Sequence, residues 1–192
     1  MTLFLDLDGP LLDVEERYFR VHHDILAELG YSDPVDDKAS YWRMKRDRRP
    51  LSAFLMEKGK SLVDEGIHRR RWLETIESED YLDFDRIIPG AKQQLGKLSG
   101  PHTLVLVTLR RNREGLIREL ECLQLRLFFR AVLCKAQRTR DSWKVRHDLI
   151  RSSLLLEFDR WIIGDSEVDI LAGKSLGLTT VAVLSGIRNL RC

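Results

Sequence analysis

Asp6 and Asp8 stand one residue apart, directly after the apolar run Leu3-Phe4-Leu5, and Gly9 follows them. Alternate positions on an extended strand point to opposite sides, but a turn opening at a glycine can swing both carboxylates into one cavity. Carboxylates set together can divide labour, one as nucleophile and one as proton carrier. Two further apolar runs also end in residues of useful type. Leu104-Val105-Leu106-Val107 ends in Thr108, and Trp161-Ile162-Ile163 ends in Gly164-Asp165-Ser166-Glu167-Val168-Asp169. Lys144 falls in the first turn of a helix expected to start at Ser142, where a bound anion would also meet the helix N-terminus.

Convergence of Asp6, Asp8, Asp165 and Asp169 would concentrate negative charge. At a separation of ~4 Å, one pair repels by about 4 kcal/mol at an effective dielectric of 20. A single lysine cannot balance that load, and a phosphate substrate would add to it. A hard divalent cation held by carboxylate oxygens can, and Mg²⁺, which keeps waters and bridges to phosphate, fits best. Thr108 and Lys144 then remain to grip phosphate oxygens. The set points to phosphoryl transfer through an aspartyl phosphate on Asp6.

These residues need a scaffold that brings strand ends together. Five β-rich runs read as buried strands: Leu3 to Leu5, Thr103 to Val107, Ala131 to Leu133, Trp161 to Ile163 and Thr179 to Leu184. Short continuous apolar runs suit a parallel sheet covered on both faces. Helical patterns lie between them, with Asn112, Ser142 and Ser166 as expected N-caps and Gly177 as a stop. The alternation predicts an open α/β fold whose ligands bind beyond the carboxyl ends of the strands. From Asp13 to Asp85 the alternation fails. Amphipathic stripes (Tyr18, Val21, Ile25, Leu29, then Leu62, Val63, Ile67, Leu73, Ile76) predict a helical insertion, closed by Ile87-Ile88-Pro89-Gly90. The expected organisation is a core of residues 1–12 and 86–192 carrying a helical unit of residues 13–85.

Composition narrows the function classes. A chain of 192 residues, 43% hydrophobic and 32% charged, can bury a core and is neither disordered nor membranous in character. No apolar run reaches the ~20 residues of a spanning helix. Asp6 comes so early that no secretory leader is expected, and three scattered cysteines suit a reducing cytoplasm. Between Asp13 and Asp85, 13 Lys and Arg face 18 Asp and Glu, a net of −5, leaving +7 for the rest of a chain whose total is +2. The basic part holds the proposed site, which favours an anionic substrate, and the insertion is no general nucleic-acid surface.

The pieces DLDGPLLD (Asp6 to Asp13), Thr108, Lys144 and GDSEVD (Gly164 to Asp169) occur in this order and span nearly the whole chain. As a set they resemble the haloacid dehalogenase-like (HAD) hydrolases, and the insertion after the first piece looks like the helical cap of the phosphoglycolate phosphatase and β-phosphoglucomutase branch. The resemblance implies a Rossmann-like core and a role for each residue. Asp6 would attack phosphorus and bind Mg²⁺. Asp8 would protonate the leaving group, then activate water, with its carbonyl on the metal. Thr108 and Lys144 would hold the phosphoryl group, Asp165 would ligate the metal, and Asp169 would support the metal shell. A carboxylate at Asp8 argues against a true dehalogenase, and Pro10 departs from the usual Thr or Val. Ser166 to Asp169 also reads as a helix capping box.

Leu109 and Arg110, next to Thr108, are expected to touch substrate. In the insertion, Arg46 and Arg49 are the cations expected to reach an anionic substrate tail, although a solvated face is the ordinary reading of such a cluster. The expected protein is a cytoplasmic, Mg²⁺-dependent phosphatase of a small phosphorylated metabolite, monomeric or homodimeric, with no nucleic-acid or membrane partner. A sugar phosphomutase of the same chemistry and a non-catalytic protein keeping the fold are the alternatives.

Overall fold

In the computed structural model, residues 1–31, 37–57, 65–135, 141–153 and 159–189 are described. In chain order the strands are β1 (Thr2–Leu5), β2 (Leu12–Asp13), β3 (Arg86–Ile87), β4 (Thr103–Thr108), β5 (Ala131–Cys134), β6 (Arg160–Gly164) and β7 (Thr179–Ala182). The α-helices are α1 (Glu15–Glu28), α2 (Lys38–Arg46), α3 (Leu51–Glu57), α4 (Glu65–Thr75), α5 (Glu79–Leu82), α6 (Ala91–Ser99), α7 (Arg113–Cys122), α8 (Ser142–Ser152) and α9 (Glu167–Ser175). The chain divides into two compact units, one of Met1–Asp13 with Arg86–Gly186, the other of Val14–Asp85 with Ile187–Cys192.

The first unit is built on the five predicted strands. They form one parallel sheet in the order β5-β4-β1-β6-β7, with β1 in the middle. All four β1 residues are buried, as expected for a strand covered on both faces. Register pairs Phe4 with Val105 on one side and with Ile162 on the other. These three residues join Val107, Ile150 and Leu178 in a core between the sheet and α8. The strand order reverses at β1, so the polar residues after β1, β4 and β6 come from adjacent strands at the sheet's carboxyl edge. This is the open α/β architecture read from the alternation, with the Rossmann-like core that the resemblance implied.

The helix boundaries follow local chemistry. Asn112 caps α7, accepting from Gly115 N–H at 2.9 Å. Ser166 caps α9 in a capping box whose return partner is Asp169. At α8 the cap position belongs to Asp141, and Ser142 is the first helical residue. The short antiparallel ribbon of β2 and β3 pairs Leu12 with Ile87 and Asp13 with Arg86. It carries no readable period, being two residues long on each side, and it was not expected.

Among the described residues the second unit is helical. Tyr18, Val21 and Ile25 are buried along α1 as the stripe predicts. On α4 the inner face differs from the expectation: Ile67 is exposed, and the buried pair is His68 and Trp72, one helical turn apart. Leu62 and Val63 lie outside the described residues. Arg17 and Asp85 form an ion pair at 3.0 Å in the interior. His22 Nδ1 and His68 Nε2 are hydrogen-bonded at 3.0 Å, and the His22 ring stacks on Tyr41 with centroids 4.4 Å apart. No helix among the described residues is long and apolar enough to cross a membrane.

The histidine pair has a pH consequence. Burial, then the neighbouring His22 and Lys45, lower the His68 imidazole to about 3. The ordinary value is near 6.5, so the fold holds this ring neutral where the unfolded chain would charge it. Its stabilising contribution is complete above pH 6.5 and is lost as pH falls from there toward 3. The slope reaches about 1.4 kcal/mol per pH unit for one proton. Urea unfolding at pH 7.5 and 5.5 should show the wild type losing more stability than His68→Gln, and equal losses would refute it.

Candidate active site

Asp6 is the first residue beyond β1, and its N–H donates to the Ile163 carbonyl at 3.0 Å, prolonging the sheet ladder. Asp165 follows Gly164, the last residue of β6, and Asp169 lies in the first turn of α9. All three acids are buried, and one carboxylate oxygen from each lies within 4.8 Å of the others. Three of the four carboxylates expected to converge, Asp6, Asp165 and Asp169, therefore do so. Asp8 is close in sequence but partly open, with its side chain 20% exposed.

The turn after β1 depends on two close approaches. Gly9 has φ +103°, and a Cβ there would lie 2.5 Å from the Asp165 carboxyl carbon. Gly186, after β7, also abuts the Asp165 carboxylate with no room for a side chain. Ser185 Oγ donates to the Gly9 carbonyl at 2.7 Å, tying the two loops together. The N–H groups that close the turn belong to Gly9, Leu11 and Leu12. None is asked of Pro10, so the departure from the usual residue is accommodated. Gly9→Ala combines a disfavoured backbone region with a clash against Asp165. It should destabilise the protein by about 1–3 kcal/mol or more, read as a lower urea midpoint.

Charge balance comes from an unexpected cation. Lys144 is exposed, and its ammonium group pairs with Asp141 at 2.9 Å, not with the acid cluster. Its position on α8 is the reason. The buried residues of this helix are Val145, Arg146 and Ile150, and Lys144 falls off that face. Arg146, one turn before Ile150, is the residue that reaches inward. Its guanidinium lies 3.1 Å from Asp6 Oδ1 through Nη2 and meets Asp169 Oδ1 through Nη1. The apolar period of α8 carried this signal in the sequence, since Arg146 is four residues before Ile150.

Opposing forces act on Asp6. Burial pushes its carboxyl above the ordinary range, and the charge of Asp8 adds to the rise. Arg146 and the Leu7 N–H, which donates to Asp6 Oδ1 at 2.9 Å, oppose it. Asp169 is held from both ends: Arg146 takes Oδ1, while Ser166 N–H and Oγ donate to Oδ2 at 3.2 and 2.7 Å. The capping box and the acid cluster thus share this residue.

Thr108 is the last residue of β4 and is buried. Register pairs Leu5 with Leu106, which sets Thr108 one level beyond Asp6 on the neighbouring strand. Leu109 is half-buried beside it. Arg110 was expected to meet substrate, but it is 3% exposed and is held by protein carboxylates, Asp8 and Glu119. Arg46 and Arg49 belong to the second unit. There Arg46 donates to the Arg188 carbonyl at 3.1 Å, and Arg49 pairs with Glu57.

A sequence model of the haloacid dehalogenase-like hydrolases matches residues 3–183. The chain belongs to this family. As a haloacid dehalogenase-like hydrolase it has solved structural neighbours of similar fold. One is a family member from Streptococcus pneumoniae, with a TM-score of 0.71 at 18% identity, covering 99% of this chain and 87% of that one. Another, a predicted phosphatase from Clostridium acetobutylicum, gives 0.71 at 19% identity with the same coverage. A predicted phosphoglycolate phosphatase from Haemophilus somnus gives 0.70 at 18% identity, covering 97% and 86%. No curated protein matches this haloacid dehalogenase-like hydrolase.

The donor set of this hydrolase suits a hard cation. Three buried carboxylates with oxygens within 4.8 Å offer only oxygen ligands and carry more negative charge than Arg146 neutralises. Asp6 and Asp165 would serve as ligands. Asp169, engaged by Ser166 and Arg146, would steady the shell around them.

Proposed function

We propose that the chain is a Mg²⁺-dependent phosphatase of small phosphorylated metabolites, working through an aspartyl phosphate on Asp6. The observation that carries this reading is the buried trio of Asp6, Asp165 and Asp169 at the carboxyl edge of the sheet. Family membership and the printed descriptions of two structural neighbours as phosphatases support it.

In the first step an Asp6 carboxylate oxygen attacks phosphorus, and the bond from phosphorus to the leaving oxygen breaks. The proton on Asp8 passes to that oxygen, so the product leaves as an alcohol. In the second step water attacks phosphorus and gives its proton to the Asp8 carboxylate. The bond between phosphorus and Asp6 breaks, which returns both residues to their starting states. Mg²⁺ held by Asp6, the Asp8 carbonyl and Asp165 would lower the electrostatic barrier between the carboxylate and an anionic phosphate. Thr108 Oγ1 and the backbone around Leu109 are assigned to the phosphoryl oxygens. Arg146 orients Asp6 by hydrogen bonding to it, while Lys144, expected to hold the phosphoryl group, is paired with Asp141 instead.

The helical unit, residues 13–85, is assigned the role of a cap that selects substrate. There Arg46 and Arg49 are the cations proposed to read an anionic substituent. Such a protein would work in the cytoplasm.

The test is a panel of phosphomonoesters assayed for phosphate release with Mg²⁺ and with excess EDTA. Mg²⁺-stimulated release from at least one ester is expected. Its absence from the whole panel would refute the assignment in favour of a binding protein. A phosphomutase would instead show rephosphorylated product in place of free phosphate.

A further inference from the structure

Beside the acid cluster lies a buried pair, Arg110 and Glu119, that takes no part in the reaction steps proposed above. Arg110, just beyond β4, sends Nε and Nη2 to Asp8 Oδ1 at 3.2 and 2.5 Å. Its Nη1 donates to Glu119 Oε2 at 2.7 Å. Arg110 is 3% exposed and the Glu119 side chain 6%. Glu119 lies on the inner face of α7, between the buried residues Leu116 and Leu120. A guanidinium buried this way has lost its water and is retained only where carboxylates replace it. The planar fork also fixes direction, which a lysine's single point of charge would not.

We propose that Arg110 is a positioning residue that sets the orientation of Asp8 for proton transfer, with Glu119 anchoring Arg110 from behind. This rests on the phosphatase reading, in which Asp8 gives its proton to the leaving oxygen as the phosphorus–oxygen bond breaks. Asp8 lies in the turn after β1, outside the sheet and tied to Leu12 by an isolated bridge, and Arg110 is held on the sheet side by β4 and on the helix side by Glu119. The side chain of the proton carrier is thereby referred to two regular elements, β4 and α7. Displacing such a group by about 1 Å lowers turnover on the order of 10²-fold. The arrangement also explains why Arg110, next to the expected phosphate contact Thr108, is not exposed to receive a substrate.

Leaving groups discriminate this role from a structural one. An alkyl phosphate needs its departing oxygen protonated, whereas p-nitrophenyl phosphate releases a stable phenolate and needs the proton far less. Wild type, Arg110→Ala, Arg110→Lys and Glu119→Gln are assayed with Mg²⁺ on both esters, and thermal midpoints are recorded. For Arg110→Ala, kcat/KM on the alkyl ester should fall about 10²-fold and on the aryl ester about tenfold, raising the aryl-to-alkyl ratio. Arg110→Lys and Glu119→Gln should show the same direction with smaller changes, on the order of threefold to tenfold.

Should Arg110→Ala fail to fold, the two conservative variants decide by the same ratio. An unchanged ratio with equal losses on both esters, or a raised KM with unchanged kcat, overturns the inference. Loss of folding in all three variants also overturns it, assigning the trio to stability alone. The alkyl ester is one the wild type hydrolyses in the phosphomonoester panel, so a wild type inert toward the whole panel overturns the phosphatase reading and the inference with it. An active wild type matched by its Arg110 variants overturns the inference alone.

Discussion

Asp6→Asn is expected to lower phosphate release at least about 10⁴-fold, equivalent to roughly 5.5 kcal/mol of transition-state stabilisation. The amide keeps the shape of the side chain but cannot form the covalent intermediate proposed on Asp6. Folding should survive, because the substitution removes two burdens along with one partner. The buried carboxyl suffers from desolvation and from the charge of Asp8, and both disappear with the amide. Against this, Arg146 loses its contact with Asp6 while keeping Asp169. The variant should therefore melt within a few degrees of wild type and yield no acid-stable phosphoenzyme when quenched with substrate. Turnover by Asp6→Asn at the wild-type rate would remove the covalent mechanism.

Arg146→Met should damage both stability and activity. Arg146 stands between two buried carboxylates, and deleting one partner of a buried ionic group typically destabilises by about 3–5 kcal/mol. For a domain of this size that corresponds to roughly 10 °C in the thermal midpoint. Turnover of the folded fraction should fall on the order of 10²-fold, because Asp6 loses the hydrogen bond that aims it. Arg146→Lys should recover part of the loss, since one ammonium cannot serve Asp6 and Asp169 with the geometry of a fork. Lys144→Ala supplies the contrast. Its exposed pair with Asp141 is worth little, so stability should move by no more than about 0.5 kcal/mol and turnover should stay near wild type. The reverse pattern would restore Lys144 to the site.

The two substitutions also mark where the chain was readable as text. Leu3 to Leu5 and Trp161 to Ile163 announce buried parallel strands by unbroken hydrophobicity, and the polar residue ending each run is necessarily at the sheet edge. Asp6, Thr108 and Asp165 were legible for that reason. Lys144 was misread because it was placed by its nearness to the N-terminus of α8 and not by the buried face of that helix. The apolar residues around it, Val145 and Ile150, already pointed to Arg146. Arg110 was expected to meet substrate from its distance to Thr108 alone. Its true partner, Glu119, is nine residues away on another element, and only the packing of α7 brings the two together. The pairing of His22 with His68 was hidden similarly, because contact between two helices 46 residues apart leaves no local period. The ribbon of β2 and β3 lacked the length that any periodic signal requires.

That ribbon has an engineering corollary. Asp13 and Arg86 are direct antiparallel partners, so the chain leaves the sheet-bearing unit and re-enters it at neighbouring points. Opposed residues in such a ladder have Cα atoms only about 5 Å apart, a gap that a two-residue reverse turn spans without strain. The intervening helices can thus be excised, or exchanged for another set, by joining Asp13 to Arg86 through an Asn-Gly link. The helical unit then becomes a detachable module, open to exchange with the parallel sheet left whole.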